Sequence, residues 1–262
     1  MVVTMVVIMA KMKTKKIKQS ERMTQVERKA PSVDDTAYIS QLAKQERRDL
    51  KSSRFHMSLP YLFVKRLLDM ILSALALLFL SPFFLVMFGI YHVGDNKGPM
   101  FFKQKRIGQY GKPFYIYKFR SMVVGADKKL RANPRLFKKY VDNNYKLPPD
   151  EDPRVTKFGS FIRKYSIDEL PQFINILKGD MALIGPRPVV QVELKEYGNK
   201  VGKLLAVKPG AMGYWQASGR SNIEYPERCD VELYYVDHAS LWFDTKIFFK
   251  NIISIFKTDG AY

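Results

Sequence analysis

Apolar and polar positions divide this chain unevenly. After an apolar start of ten residues, MVVTMVVIMA, residues 11–60 are polar, show little periodicity and carry a lysine cluster at Lys11, Lys13, Lys15, Lys16 and Lys18. Residues 1–60 therefore read as a basic tail, disordered or loosely helical. The opening run is too short to span a bilayer, and its lysines follow rather than precede it, which does not suit a signal peptide. Residues 70–90, MILSALALLFLSPFFLVMFGI, are twenty-one residues without a charge. As a helix they would measure roughly 30 Å, one hydrocarbon thickness, and a helix apolar on every face over that length predicts membrane rather than core.

Ser81-Pro82 sits at the middle of that run. Proline removes a backbone hydrogen bond and crowds the carbonyl four residues back, so a kink is expected, with the Ser81 hydroxyl available to a freed carbonyl. Basic residues flank both ends: Arg54, Lys65 and Arg66 before, Lys97, Lys103, Lys105 and Arg106 after. Basic flanks mark the cytoplasmic side, so a broken helix that dips in and returns on the same face fits better than a straight span. The expectation is a re-entrant helix-hairpin over 61–94.

Beyond it, aromatic and polar residues alternate in two predicted strands, 100–102 and 114–119, with Gly108 and Gly111 permitting the turn between them. This is not a P-loop, because no Gly-Lys-Ser/Thr follows at the required spacing. One or two basic helices are expected within 123–150, then an acidic turn, Asp150, Glu151 and Asp152, among prolines. Phe158, Phe161 and Ile162 make a short apolar helical face that carries Arg163 and Lys164 toward YSIDELPQFINILKGD. In that stretch either Ser166 caps a helix, with Glu169 completing a capping box, or Asp168 does, with Pro171 at the third helical position. Leu170, Phe173, Ile174 and Leu177 form its apolar stripe, and Gly179 is a ready terminator. A short buried strand in MALIGPRP and a glycine-rich turn in PGAMGYWQASGR follow. Residues 241–256 repeat apolar positions at helical spacing against Lys246, Lys250, Ser254 and Lys257, an amphipathic helix either packed on the core or lying at a membrane surface.

Charge sharpens this picture. With 44 basic against 25 acidic residues the net charge is +19, which calls for an anionic partner: nucleic acid, acidic lipid or a phosphorylated substrate. A single cysteine, Cys229, excludes an internal disulfide, and His56, His92 and His238 lack zinc-ligand spacing. The neighbourhood of Asp168 and Glu169 then matters. Arg163 precedes them, Arg187 follows in GPRP, and Arg220 closes the glycine-rich turn. Several cations converging on a polyphosphate, with two carboxylates that hold a divalent metal or attack phosphorus, outline a phosphoryl-transfer site.

Five blocks in order, KRLLDMILSALALLFLSP, QKRIGQYGKPFYIYKFRSM, DPRVTKFGSFIRKYSIDELPQFINILKGDMALIGPRP, KPGAMGYWQASGRS and ELYYVDHASLWFDTKIFFK, resemble the bacterial sugar transferases, monotopic polyprenyl-phosphate phosphoglycosyl transferases. The resemblance covers residues 61–262. It implies transfer of a sugar 1-phosphate from a UDP-sugar to undecaprenyl phosphate with release of UMP, the first membrane step of an exopolysaccharide, capsule or O-antigen pathway. It further implies that Asp168 is a covalent nucleophile and that Glu169 and Mg²⁺ complete the site, both carboxylates serving as metal ligands. Arg163 is carried over as a phosphate ligand, with Lys118 and Arg120 of YKFRSM, Arg187 and Arg220 as further phosphate or nucleotide ligands. A broken anchor with Ser81 and Pro82 at the break, inner-membrane lipids as surroundings, an active site on the cytoplasmic face and no nucleic-acid partner also follow from it. The family pattern would place threonine at Met212 and valine at Ala217, in a region tied to sugar choice.

The expected fold is α/β-like, mostly helical with short strands, built as a tail (1–60), a re-entrant anchor (61–94) and a cytoplasmic catalytic domain (95–262). Galactose or glucose is the expected sugar, galactose ahead, and the amphipathic C-terminal helix leaves a dimer open. The competing readings are a membrane-anchored basic binding protein without turnover and a nucleotide-sugar hydrolase.

Overall fold

The computed structural model describes residues 57–142, 147, 151–219 and 222–257. The basic tail apart from residues 57–60, Asp150 and Arg220 lie outside the described residues.

Helix α1, Leu59–Ile90, has Pro60 in its first turn, where a missing N–H costs nothing. It is long and apolar enough to cross a membrane. Leu75, Leu78, Phe79 and Leu85 stand exposed along it. The helix is continuous through Ser81-Pro82, and a hairpin turn is not shown there. The reason is local: Pro82 cannot donate to the Leu78 carbonyl, and the Ser81 hydroxyl donates to it instead at 2.7 Å.

Both ends of α1 are fixed to the rest of the chain. In its first turns Arg66 donates to the carbonyls of Ile176 (2.6 Å) and Leu177 (2.9 Å), and Asp69, 4% exposed, accepts the Leu183 N–H at 2.9 Å. In its last turns Met87 is buried with Tyr91, Phe119 and Ile162, and Phe83, Phe84 and Ile90 pack around them. Burying side chains of this size stabilises by about 1.5–3 kcal/mol each, so this end is seated firmly.

Strands β1, Phe101–Ile107, and β2, Pro113–Phe119, form an antiparallel hairpin with Phe101 opposite Phe119 and Ile107 opposite Pro113. β1 runs past the predicted 100–102 because pairing with the apolar β2 recruits Lys103, Gln104, Lys105 and Arg106 despite their polarity. Side chains alternate faces along a strand, so Lys118 shares the inward face of buried Phe114 and Ile116. Two helices follow as expected, α2 (Ala126–Arg131) and α3 (Pro134–Asp142). In the acidic turn, Asp152 is held by Arg154 through contacts of 2.8 and 2.7 Å, and Glu151 pairs with Lys139.

Helix α4, Lys157–Lys164, is capped by Thr156, whose hydroxyl accepts the Gly159 N–H at 2.8 Å. A single 3-10 turn, Ile167–Glu169, leads into α5, Gln172–Lys178, which ends at Gly179 in the left-handed region (φ 88°) as the sequence predicts. Strands β3 (Ala182–Ile184) and β4 (Gly210–Met212) pair in parallel, and between them lie a 3-10 segment, Gln191–Lys200, and α6, Val201–Leu205. Helices α7 (Tyr214–Ser218), α8 (Glu227–His238) and α9 (Leu241–Lys257) complete the chain. The mostly helical architecture with short strands agrees with the sequence reading.

The approach of α4 to the end of β2 is the tightest constraint here. A Cβ built on Gly159 would lie 1.8 Å from the Ser121 carbonyl oxygen, which is backbone and cannot step aside. Gly159→Ala is expected to lower stability by about 1–3 kcal/mol or more, as overpacked sites do. Gly89→Ala, where nothing lies within 4 Å, is expected to leave thermal unfolding in detergent unchanged or raised. Equal melting temperatures for the two variants would refute the close-contact account.

Candidate active site

The Asp-Glu pair follows a residue in an unusual conformation. Ser166 has φ 55°, left-handed for a non-glycine residue, and turns the chain between α4 and the 3-10 segment. Ile167 and Leu170 then pack on the Phe119–Ile162 cluster while Asp168 is drawn inside, 7% exposed. Neither capping expectation holds. Pro171 occupies the N-cap of α5, with no side-chain cap bond there, and Ser166 makes none at the 3-10 turn. Asp168 is therefore not consumed as the cap of α5.

Lys118 reaches both of them from β2, with Nζ at 2.6 Å from Glu169 and 3.9 Å from Asp168. Arg163, on the last turn of α4, donates to the Ser121 hydroxyl at 2.8 Å and adds its field to Asp168. Burial pushes the Asp168 carboxyl up to about 6 and the Glu169 charge adds to the rise, while Lys118, Arg163 and Arg187 pull it back. Burial thus favours the neutral acid and the surrounding cations favour the carboxylate.

Arg187 lies in the loop after β3. Its backbone N–H sits between the Glu232 carboxylate oxygens, at 3.2 and 3.1 Å, and its guanidinium lies 5.5 Å from the Trp215 ring centroid. Arg228 covers the same indole at 4.2 Å. Arg120 has a different place from the one expected. Its donors go to the carbonyls of Pro99 (2.8 Å), Met122 (2.9 Å) and Asn96, and it stacks on Tyr91, so it clamps the chain leaving α1. Lys118, Arg163, Asp168 and Glu169 are thus brought together, Arg187 contributes from the adjoining loop, and Arg120 is built into the framework.

Two positioning residues escaped the sequence reading. Asn175, fully buried on α5, accepts the Tyr117 N–H at 2.9 Å and donates to the Tyr115 carbonyl at 2.8 Å. It satisfies two groups on the open edge of β2 as a neighbouring strand would, which fixes the strand of Lys118 against the helix that follows the acids. The signal was an asparagine inside the run FINIL. Glu232, fully buried on α8, fixes the Arg187 loop, and its signal was an acid within an apolar stretch.

As a metal site the pair is incomplete by itself. Among the described residues no group of three or more His, Cys, Asp or Glu side chains comes together. Mg²⁺ is commonly held by one or two carboxylates, with phosphates and water supplying the rest, so the chemistry of two adjacent acids fits that ion.

The sequence profile of the bacterial sugar transferases matches residues 60–258. The chain belongs to that family. It is 42% identical over 203 residues to the undecaprenyl-phosphate galactose phosphotransferase of Salmonella typhimurium, covering 76% of this chain and 42% of that one. It is 40% identical over 202 residues to the exopolysaccharide production protein ExoY of Sinorhizobium fredii, covering 76% and 88%. With the UDP-glucose:undecaprenyl-phosphate glucose-1-phosphate transferase of Escherichia coli it shares 37% over 207 residues, covering 76% and 41%. The chain thus spans less than half the length of some of these sugar transferases and most of the length of others.

Burial raises the Glu232 carboxyl to about 7 from an ordinary value of 4.5. A carboxyl raised on folding holds its proton longer in the folded chain, so stability declines as pH rises through that window and the full cost is present above 7. Glu232→Gln, which keeps an acceptor for the Arg187 N–H, is expected to flatten this decline. Melting curves of both proteins in detergent between pH 5 and 8 check it, and parallel pH slopes would refute it.

Proposed function

We propose that this chain transfers a sugar 1-phosphate from a UDP-sugar to undecaprenyl phosphate, releasing UMP, and so begins the assembly of a polysaccharide on its lipid carrier. The observation that carries this reading is the buried Asp168 carboxylate, uncommitted to a helix cap, in the field of Lys118 and Arg163 and near Tyr91 at the end of an apolar helix. The named activities of the Salmonella and Escherichia relatives support it. A hexose is the sugar proposed, galactose ahead of glucose.

In the first step an Asp168 oxygen attacks the phosphorus bearing the sugar. The bond from that phosphorus to the bridging oxygen breaks, and UMP leaves with the bridging oxygen and its electron pair. In the second step an oxygen of undecaprenyl phosphate attacks the same phosphorus and displaces the Asp168 carboxylate, giving the lipid diphosphosugar and regenerating the enzyme. Arg163 and Lys118 hold the phosphate oxygens whose charge must be offset as the carboxylate approaches, and Arg187 binds the nucleotide phosphate. Asp168 and Glu169 would hold Mg²⁺, which supplies electrostatic shielding of the diphosphate.

A re-entrant course for α1, with the site on the cytoplasmic face, belongs to the same proposal. Support comes from the basic residues flanking both ends of its apolar run and from the packing of both ends on one domain. A straight span would have to put those ends on opposite sides of the bilayer.

The test is UMP release by detergent-solubilised protein with Mg²⁺ and undecaprenyl phosphate, across UDP-galactose, UDP-glucose and UDP-N-acetylhexosamines. Asp168→Ala and Asp168→Asn are expected to lose at least about 10³-fold in kcat, as removal of a nucleophile does. Turnover by Asp168→Ala at the wild-type rate would refute the mechanism. UMP release without any lipid acceptor, at the same rate, would favour a hydrolase.

A further inference from the structure

We propose that a cavity between α7, α8 and α9 holds the headgroup of an anionic phospholipid from the bilayer that receives α1. The inference rests on membrane association of α1 and not on the transfer chemistry.

The cavity has a volume of about 310 Å³, and its lining includes Tyr214, Tyr234, Phe243, His238, Lys246 and Lys250. Its walls are aromatic: Tyr214 stacks on Tyr234 at 5.4 Å and meets Phe243 at 5.2 Å. Its lining carries two lysines and no carboxylate. The nearest acids along the chain are engaged elsewhere, Asp237 by Lys203 at 2.6 Å and Asp244 by Lys65 at 2.6 Å. Such a space suits an anionic group attached to a less polar body.

Helical geometry supplies the second observation. Trp242, Phe249 and Ile253 are 69%, 58% and 53% exposed, and their spacing of seven and four places them on one stripe of α9. Lys246 and Lys250 lie on the border between that stripe and the cavity-facing Phe243 and Ile247. Tryptophan beside lysine on an exposed apolar stripe is the composition of a helix lying at headgroup level. A soluble nucleotide would leave the stripe uncovered.

The third observation is continuity with α1. Asp244, near the start of α9, accepts from Tyr61 at 3.0 Å and from Lys65 at 2.6 Å. The side of α9 opposite the stripe is thereby tied to the first turns of the apolar helix. Tyr235 completes the joint, with its hydroxyl 2.8 Å from Asp244 and 3.3 Å from the Ile184 carbonyl. The first turns of α1 and of α9 are therefore joined at one cluster, which fixes the helix that carries the stripe relative to the apolar helix.

The experiment uses the full chain in phosphatidylcholine nanodiscs that contain a minor fraction of either brominated phosphatidylglycerol or, at the same mole fraction, brominated phosphatidylcholine. Trp242 emission is taken as the difference between the wild type and Trp242→Phe. Quenching by both lipids is expected, with an excess of about twofold or more for the anionic one, and Lys246→Gln with Lys250→Gln should bring that excess down to the neutral level. Asp168→Ala should keep the excess, which separates this inference from the transferase reading. Absence of quenching, equal quenching by the two lipids, or an excess that survives the double lysine variant would each overturn it.

Discussion

The attachment of both ends of one apolar helix to a single domain is the constraint on which the rest of the structure depends. At its first turns, Arg66 satisfies two carbonyls at the C-terminal end of α5, where a cation is favoured by the helix dipole, and Asp69 accepts a backbone N–H of β3. At its last turns, Met87 and Tyr91 complete the floor under Phe119 and Ile162. The Asp-Glu pair lies between these two anchorages. Ile167 and Leu170, on either side of it, sit on that floor, and α5, which follows it, is held by Arg66. The apolar helix and the rest of the described chain are therefore not separable modules. Asp69 is costly to bury and is tolerated because its oxygen is bonded, so the polar residues at the helix foot specify a docking geometry that an all-apolar helix would leave free.

Electrostatics explain why a buried acid is stable there. The excess of cations, +19 over the chain, is diffuse as a bulk number but becomes specific at Lys118 and Arg163, which reach the pair from a strand and from a helix. Lys118 pairs with Glu169 at 2.6 Å. Lys118, Arg163 and Arg187 thereby offset part of the rise that burial imposes on the Asp168 carboxyl.

Much of this was legible in the sequence where a local rule acted alone. The apolar run, the hydroxyl that replaces the bond lost at Pro82, the paired basic helices and the glycine stop after α5 each follow from periodicity or from one residue's backbone preference. The reading failed where tertiary contacts outvoted local preference. Ser166-Ile167-Asp168-Glu169 has the form of a capping box, yet packing of Ile167 and Leu170 on the aromatic floor turns it into a 3-10 segment with a left-handed serine. Arg120, expected as a phosphate ligand beside Lys118, follows the last paired residue of β2 and donates to the carbonyls of Asn96, Pro99 and Met122, contacts that its sequence position does not announce. Asn175 and Glu232 look like polar interruptions in apolar helices. Their partners are backbone groups 58 and 45 residues away, a separation that pattern reading does not bridge.

The position of Arg187 follows from a contact between backbones. A Cβ on Gly210 would fall 2.1 Å from the Gly185 nitrogen, so the parallel pair of β3 and β4 closes only because both residues are glycine. Gly213, three residues on, would meet the Gly185 carbonyl at 2.8 Å, and its own carbonyl accepts from Asn251 of α9 at 3.1 Å. Arg187 leaves this junction on one side, while Tyr214 and Trp215 leave it on the other, and Trp215 returns beneath the Arg187 guanidinium. The loop that carries Arg187, the aromatic platform under it and the C-terminal helix therefore share one fixed point.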